Sequence, residues 1–167
     1  MLETREGEKT LDNDPASLPP DGHVIFIGHI VSPWKQRQQC PKNMKQARER
    51  KAAATLVLAP LYREGLSGLE GFTHLHILTW LHHAPRNLIV QKPRHALEAK
   101  GVFALRSPAR LNPIGLHTAR ILSMDQCTGT IEIDAIDVLD GTPVLDIKPY
   151  FASTDSILDM ALEGTHK

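Results

Sequence analysis

Two segments of the chain concentrate side chains able to grip a small polar ligand. Arg106 to Leu116 reads Arg-Ser-Pro-Ala-Arg-Leu-Asn-Pro-Ile-Gly-Leu, and Asp140 to Tyr150 reads Asp-Gly-Thr-Pro-Val-Leu-Asp-Ile-Lys-Pro-Tyr. In the first, Arg106 and Arg110 each present a planar fork that matches a carboxylate or a phosphate, and Asn112 both donates and accepts. Pro108 and Pro113 stiffen the chain between them, and Gly115 lets backbone approach a ligand closely. In the second, Asp140-Gly141 is a strong turn signal between strands and also fits a rigid loop that holds backbone groups in fixed directions. A purely structural account pairs the two arginines with Asp140 or Asp146. Residue types alone leave both accounts open.

The nine histidines raise metal chemistry. His74 and His76 are one residue apart on an expected strand and would face the same side, but no Cys or carboxylate stands at ligand spacing, so the set is incomplete and no metal is expected. His82 and His83 fall where that strand ends and a loop containing Pro85 begins, a common place for ligand contacts. No Gly-x-Ser-x-Gly elbow supports a serine triad, and the dinucleotide and phosphate-loop glycine signatures are absent.

These residues need a scaffold, and the expected elements are mostly strands. His23–Val31, Thr55–Ala59, Thr73–Leu81, Gly101–Leu105, Leu116–Met124 and Thr130–Leu139 are rich in β-branched and apolar residues, and Asp125–Gly129 reads as a hairpin turn. Leu66–Glu70 reads as a short helical turn. Ser153 or Thr154 is expected to cap a C-terminal helix with Ile157, Leu158, Ala161 and Leu162 at helical spacing. Several short strands without a strand-helix-strand rhythm imply a mainly β fold, a small single-sheet barrel with a few short helices.

At 167 residues the chain suits one domain with a core of its own. Residues 1–22, acidic and rich in proline, read as a disordered tail without the apolar core of a signal peptide, and residues 23–167 as the barrel domain. No apolar run approaches a membrane span, and the widely separated Cys40 and Cys127 suit a reduced, cytoplasmic protein. The formal net charge is zero, but its distribution is segregated. Lys35, Arg37, Lys42, Lys45, Arg48, Arg50 and Lys51 face only Glu49 in their stretch, whereas the chain from Asp125 onward is acidic. A segregated basic stretch suits a phosphate backbone, and is also what an ordinary solvated face looks like.

With those residues in view, the chain resembles the TsaA-like, or YaeB/TrmO, family of S-adenosylmethionine-dependent methyltransferases, which includes the VirR proteins. Phe103-Ala104-Leu105-Arg106-Ser107-Pro108-Ala109-Arg110-Leu111-Asn112-Pro113-Ile114-Gly115-Leu116 is similar to the family's cofactor loop, and Asp140 to Tyr150 matches its second pattern intact. Ile27 to Pro33 and Gly68 to Leu75 agree as supporting blocks, so the resemblance covers Val24 to Tyr150. The departures are Leu105 for Thr, Leu111 for Pro and His117 for the usual Ser. His83 stands where relatives often carry Gln.

The resemblance implies a homodimeric β-barrel that binds S-adenosyl-L-methionine near the subunit interface. It places cofactor contacts on Pro41, Lys42, Asn43, His82, His83, Arg106, Leu116, Asp140, Gly141, Thr142 and Pro143. It further implies methylation of N6 of threonylcarbamoyladenosine beside the anticodon of tRNA, with Lys35 to Lys51 as the tRNA-facing stretch. Asp140, Asp146, Lys148 and Tyr150 are candidate proton acceptors on residue type only. The family's characterised bacterial tRNA enzymes continue into a further C-terminal domain. That leaves two alternatives, a methyltransferase for a non-RNA acceptor and a cofactor-binding regulatory module.

Overall fold

A computed structural model describes residues 4–93 and 96–156. Its strands are β1 (Lys9–Thr10), β2 (Gly28–Val31), β3 (Ala54–Leu58), β4 (His74–Trp80), β5 (Leu88–Gln91), β6 (Lys100–Gly101), β7 (Ile114–Asp125), β8 (Thr130–Ile133) and β9 (Pro143–Pro149). Two short helices, α1 (Met44–Glu49) and α2 (Ala152–Asp155), and 3-10 turns at Pro15–Ser17, Pro60–Leu66 and Val102–Ala104 complete the described elements.

Alternation drives closure. In β3 and β4 every second residue is buried, and Ile30, Leu56, Leu75, Ile77, Ala119, Ile131, Ile133 and Val144 meet inside at 0% exposure. The strands close in the order β2-β3-β8-β7-β4-β9, each pair antiparallel, which removes every edge from that sheet. The expected small barrel is therefore the architecture found. Beside it stands a smaller sheet, β1-β5-β6. Within the N-terminal segment read as a tail, Lys9 and Thr10 pair with Val90 and Leu88, and the Glu8 carboxylate accepts from the backbone N–H of Lys92 at 3.0 Å.

Several expected boundaries move. The strand expected over His23–Val31 begins only at Gly28, because β3 pairs with residues 28–31; Val24, Ile25 and Phe26 are exposed. Gly101–Leu105 pairs with β5 only through β6 and then turns, with the Arg110 guanidinium donating to the carbonyls of Val102 and Leu105. The strand expected over Thr130–Leu139 ends at Ile133, where the Asp134 carboxylate turns back to accept from Arg120 N–H at 2.8 Å. Ala135, Ile136 and Val138 still reach the core from the loop. The helical turn expected at Leu66–Glu70 lies earlier, at Pro60–Leu66, where Pro60 presets φ for the first position. The C-terminal helix begins after Phe151 rather than at Ser153 or Thr154, and Ile157, Leu158, Ala161 and Leu162 lie outside the described residues. No helix among the described residues is long and apolar enough to cross a membrane.

Candidate functional site

An antiparallel barrel has two ends, and this one is lopsided. At one end β2 leaves toward α1 and β3 through residues 32–53, β4 leaves toward β7 through residues 81–113, and β8 leaves toward β9 through residues 134–142. The opposite end carries the short β7–β8 turn and the β3–β4 connection. Every position singled out as a cofactor contact lies on one of the three connections at the first end or within three residues of a strand end beside them.

Hydrogen bonds hold these connections together. Asp140 N–H donates to the Trp34 carbonyl at 2.9 Å, and its carboxylate accepts from Ser32 N–H at 3.0 Å and meets Lys35 Nζ at 2.7 Å. The Lys35 ammonium, then the Ser32 amide, hold the Asp140 carboxyl below the usual carboxylate range. Gly141 adopts φ +75°, a left-handed turn that glycine takes without strain, and donates to the Ile30 carbonyl at 2.8 Å. Thr142, 3% exposed, donates its hydroxyl to Leu139 O at 2.6 Å. Trp34 Nε1 donates to Ile136 O at 2.9 Å and Ser32 Oγ to Val138 O at 3.0 Å, so the β2–β3 and β8–β9 connections are stitched at several points.

Pro41 is buried, and Lys42 and Asn43 are exposed. Asn43 caps α1, its Oδ1 accepting from Gln46 N–H at 2.9 Å while Gln46 Oε1 accepts from Lys42 N–H at 2.7 Å. Next to them, burial and then the negative charge of Asp137 push the Cys40 thiol up to about 11. The Trp34–Ile136 bond holds the loop before α1 against the β8–β9 connection.

The remaining positions gather where β4 ends and β7 begins. The rings of His82 and His83 meet at a tilt of 44° with centroids 3.8 Å apart, and burial, then the charge of His83, lower the pKa of His82. Leu81 N–H donates to Pro113 O at 2.8 Å, tying this turn to the entry of β7. Arg106 Nη2 donates to Leu116 O at 3.4 Å, and the outward-facing Ile114 and Leu116 stay 44% and 53% exposed. Arg106 and Arg110 bond to carbonyls, while Asp140 pairs with Lys35 and Asp146 with Lys148; the arginine–aspartate pairing open in the sequence is not formed.

One constellation escaped sequence reasoning. Inside the barrel His117, 5% exposed, joins Thr79 Oγ1 through Nε2 at 2.9 Å and Asp137 Oδ1 through Nδ1 at 2.6 Å. It ties β4 and β7 to the connection that carries Asp140. Gly115 is tied to this network, since a Cβ there would overlap Thr79 Oγ1 and His117 Nε2. The only sequence signal was His117 itself, a histidine where the family pattern has serine. Among the other histidines, His76 Nδ1 bonds Thr118 Oγ1 at 3.0 Å and Nε2 faces Asp155 at 3.4 Å, while His74 Nδ1 bonds Thr73 Oγ1 at 2.9 Å. Among the described residues no three His, Cys, Asp or Glu side chains are grouped to hold a metal ion.

A closed six-stranded antiparallel barrel with three connections gathered at one end defines a class of β-barrel proteins with a loop-built binding site. The model of the tRNA-methyltransferase O N-terminal domain matches residues 29–156, and the chain belongs to that family. It is 38% identical over 131 residues to a probable S-adenosyl-L-methionine-binding protein of Methanothermobacter thermautotrophicus, covering 78% of this chain and 91% of that one. It is 41% identical over 104 residues to the tRNA (adenine(37)-N6)-methyltransferase of Mus musculus, covering 60% of this chain and 24% of that enzyme. Among solved structures, TrmO from Pseudomonas aeruginosa superposes with a TM-score of 0.68 at 32% identity, covering 89% of this chain and 64% of that one. The chain thus spans under two thirds of that crystallised enzyme and about a quarter of the mouse enzyme.

Proposed function

We propose that the chain is an S-adenosyl-L-methionine-dependent tRNA methyltransferase acting on N6 of the adenosine beside the anticodon, with threonylcarbamoyladenosine as the substrate form. The observation that carries this is the gathering of the family's loop residues at one end of the barrel. The side chains there suit the cofactor chemically. Arg106 offers a forked donor to a carboxylate, Asp140 is an ionised acceptor for hydroxyl groups, and the exposed Ile114 and Leu116 offer an apolar wall to a purine.

When bound, the cofactor supplies an already activated methyl group, so the protein's task is chiefly to hold a nitrogen nucleophile in line with it. Pro41, Lys42 and Asn43, His82 and His83, Arg106 and Leu116, and Asp140 to Pro143 are proposed to hold it. Their loops are preorganised by the bonds just described, which lowers the ordering cost on binding. The N6 proton must leave during attack. Asp140 is a weak base for that task because Lys35 and Ser32 stabilise its ionised form, while Lys148 and Tyr150 stand toward the opposite end of β9. Orientation, more than proton abstraction by a named side chain, is assigned the main share of the rate.

A homodimer covering Ile114 and Leu116, and a cytoplasmic location, complete the proposal. Calorimetric titration with S-adenosyl-L-methionine, followed by mass spectrometry of nucleosides from tRNA incubated with both, tests it. Cofactor binding with a methylated adenosine is expected; no cofactor binding at all would sink the reading. Cofactor binding with every tRNA left unmodified supports the binding-module alternative, in keeping with relatives known as S-adenosyl-L-methionine-binding proteins.

A further inference from the structure

The basic stretch does not act as one surface. Lys35 is committed to Asp140, and the Arg50 guanidinium lies 5.1 Å from the Trp34 ring centroid and donates to the Gln39 carbonyl. The cations at the far end of α1 have a different setting. Arg48, Lys51 and Arg120, together with Ala53, Leu122 and Asp134, line one surface cavity of about 290 Å³. Arg120 comes from β7, far away in sequence, so the cluster is a product of the fold.

We propose that Arg48, Lys51 and Arg120 form a cradle for adjacent backbone phosphates of RNA, a proposal that rests on the reading of the chain as an RNA methyltransferase. Arg48 is preoriented. Its Nη2 donates to Thr118 O at 2.6 Å and its Nε faces Asp134 Oδ2 at 3.8 Å, which leaves Nη1 for a ligand. Asp134 spends its other oxygen on Arg120 N–H, so three cations answer to one partly engaged carboxylate. Among the described residues neither Lys51 nor Arg120 has a carboxylate within ion-pair distance of its side chain.

Backbone conformation supplies an independent observation. Lys51 has φ +51°, the only non-glycine residue with positive φ among those described, and it sits just past the end of α1. That left-handed position favours Gly or Asn, and a lysine there is strained. Glycine would end the helix without strain. Cations do suit a helix C-terminus, but α1 has six residues and Arg120 belongs to a strand, so the helix alone does not explain the cluster. A strained residue in the lining of a shared cavity points to a ligand. The apolar Ala53 and Leu122 in the lining suit a sugar–phosphate chain better than a fully hydrated free anion.

The test uses the full chain and a fluorescein-labelled anticodon stem-loop RNA, titrated across salt from about 50 to 200 mM. Lys51→Gly and Arg120→Gln are each expected to reduce the salt slope by about one ion, so that wild type loses about threefold more affinity than either variant across that range. Lys51→Gly should unfold at no lower temperature than wild type, which excludes misfolding as the cause. Unchanged slopes in both variants, or no salt-dependent RNA binding by wild type, overturn the cradle. Inorganic phosphate at constant ionic strength should leave the wild-type curve in place; displacement would mark a free-anion site and overturn the RNA assignment. Methyl transfer to tRNA, read in parallel, separates the two ideas. Transfer with unchanged slopes removes the cradle alone, whereas lowered slopes without any transfer remove the methyltransferase reading and keep the cradle.

Discussion

Gly115 and His117 show how a residue's meaning depends on its partners. Gly115 looked like a point of close approach to a ligand, yet the near neighbours of its missing Cβ are Thr79 and His117. Gly115→Ala should therefore destabilise by about 1–3 kcal/mol through overpacking. His117→Ser should cost about 1–3 kcal/mol by leaving Asp137 and Thr79 underbonded. The double variant should cost less than the sum, because removing the ring makes room for the methyl group; strict additivity in chemical denaturation would contradict the contact. The cysteines differ as sharply. At pH 9, where an ordinary thiol is half ionised, Cys40 is held protonated by burial and Asp137, whereas Cys127 is exposed. Iodoacetamide followed by peptide mass spectrometry should find Cys127 alkylated first, with Cys40 following only as pH approaches 11.

At the scale of elements, α1 is the most exposed to a single change. Asn43→Ala removes the side-chain cap and should cost about 1 kcal/mol in thermal unfolding, with a larger proportional loss of cofactor affinity if Pro41 to Asn43 contact it. This helix was invisible in the sequence because Met44–Glu49 buries only Ala47 and so shows no apolar periodicity. Strand β9 was hidden for a different reason. Pro143 and Pro149 at its ends, with Asp146 and Lys148 between, read as loop, but proline is tolerated at strand ends and its partners β4 and β2 lie far away in sequence. By contrast β4 was legible, since its inward Leu75, Ile77 and Thr79 alternate with wetter residues. The loop motifs were legible as motifs. What closed them into one region, Asp137 bonding His117 and Trp34 reaching Ile136, depends on contacts that no local pattern encodes.

For the molecule as a whole, the consequence lies in how the barrel divides its labour. The three connections that carry the proposed cofactor contacts occupy one end, and Cys127 sits in the short β7–β8 turn at the other, its carbonyl held by Arg63 Nη1 at 3.0 Å and its N–H by Asp125 at 2.8 Å. Insertion of a short Gly-Ser segment beside Cys127 should leave cofactor binding within about twofold of wild type, whereas the same insertion after Asp140 should abolish it; calorimetry on both variants decides. Nature has in effect left a chemical handle on the idle pole of this protein. A maleimide-bearing surface that takes Cys127 would display every molecule the same way up, its ligand-gathering loops turned toward the solution.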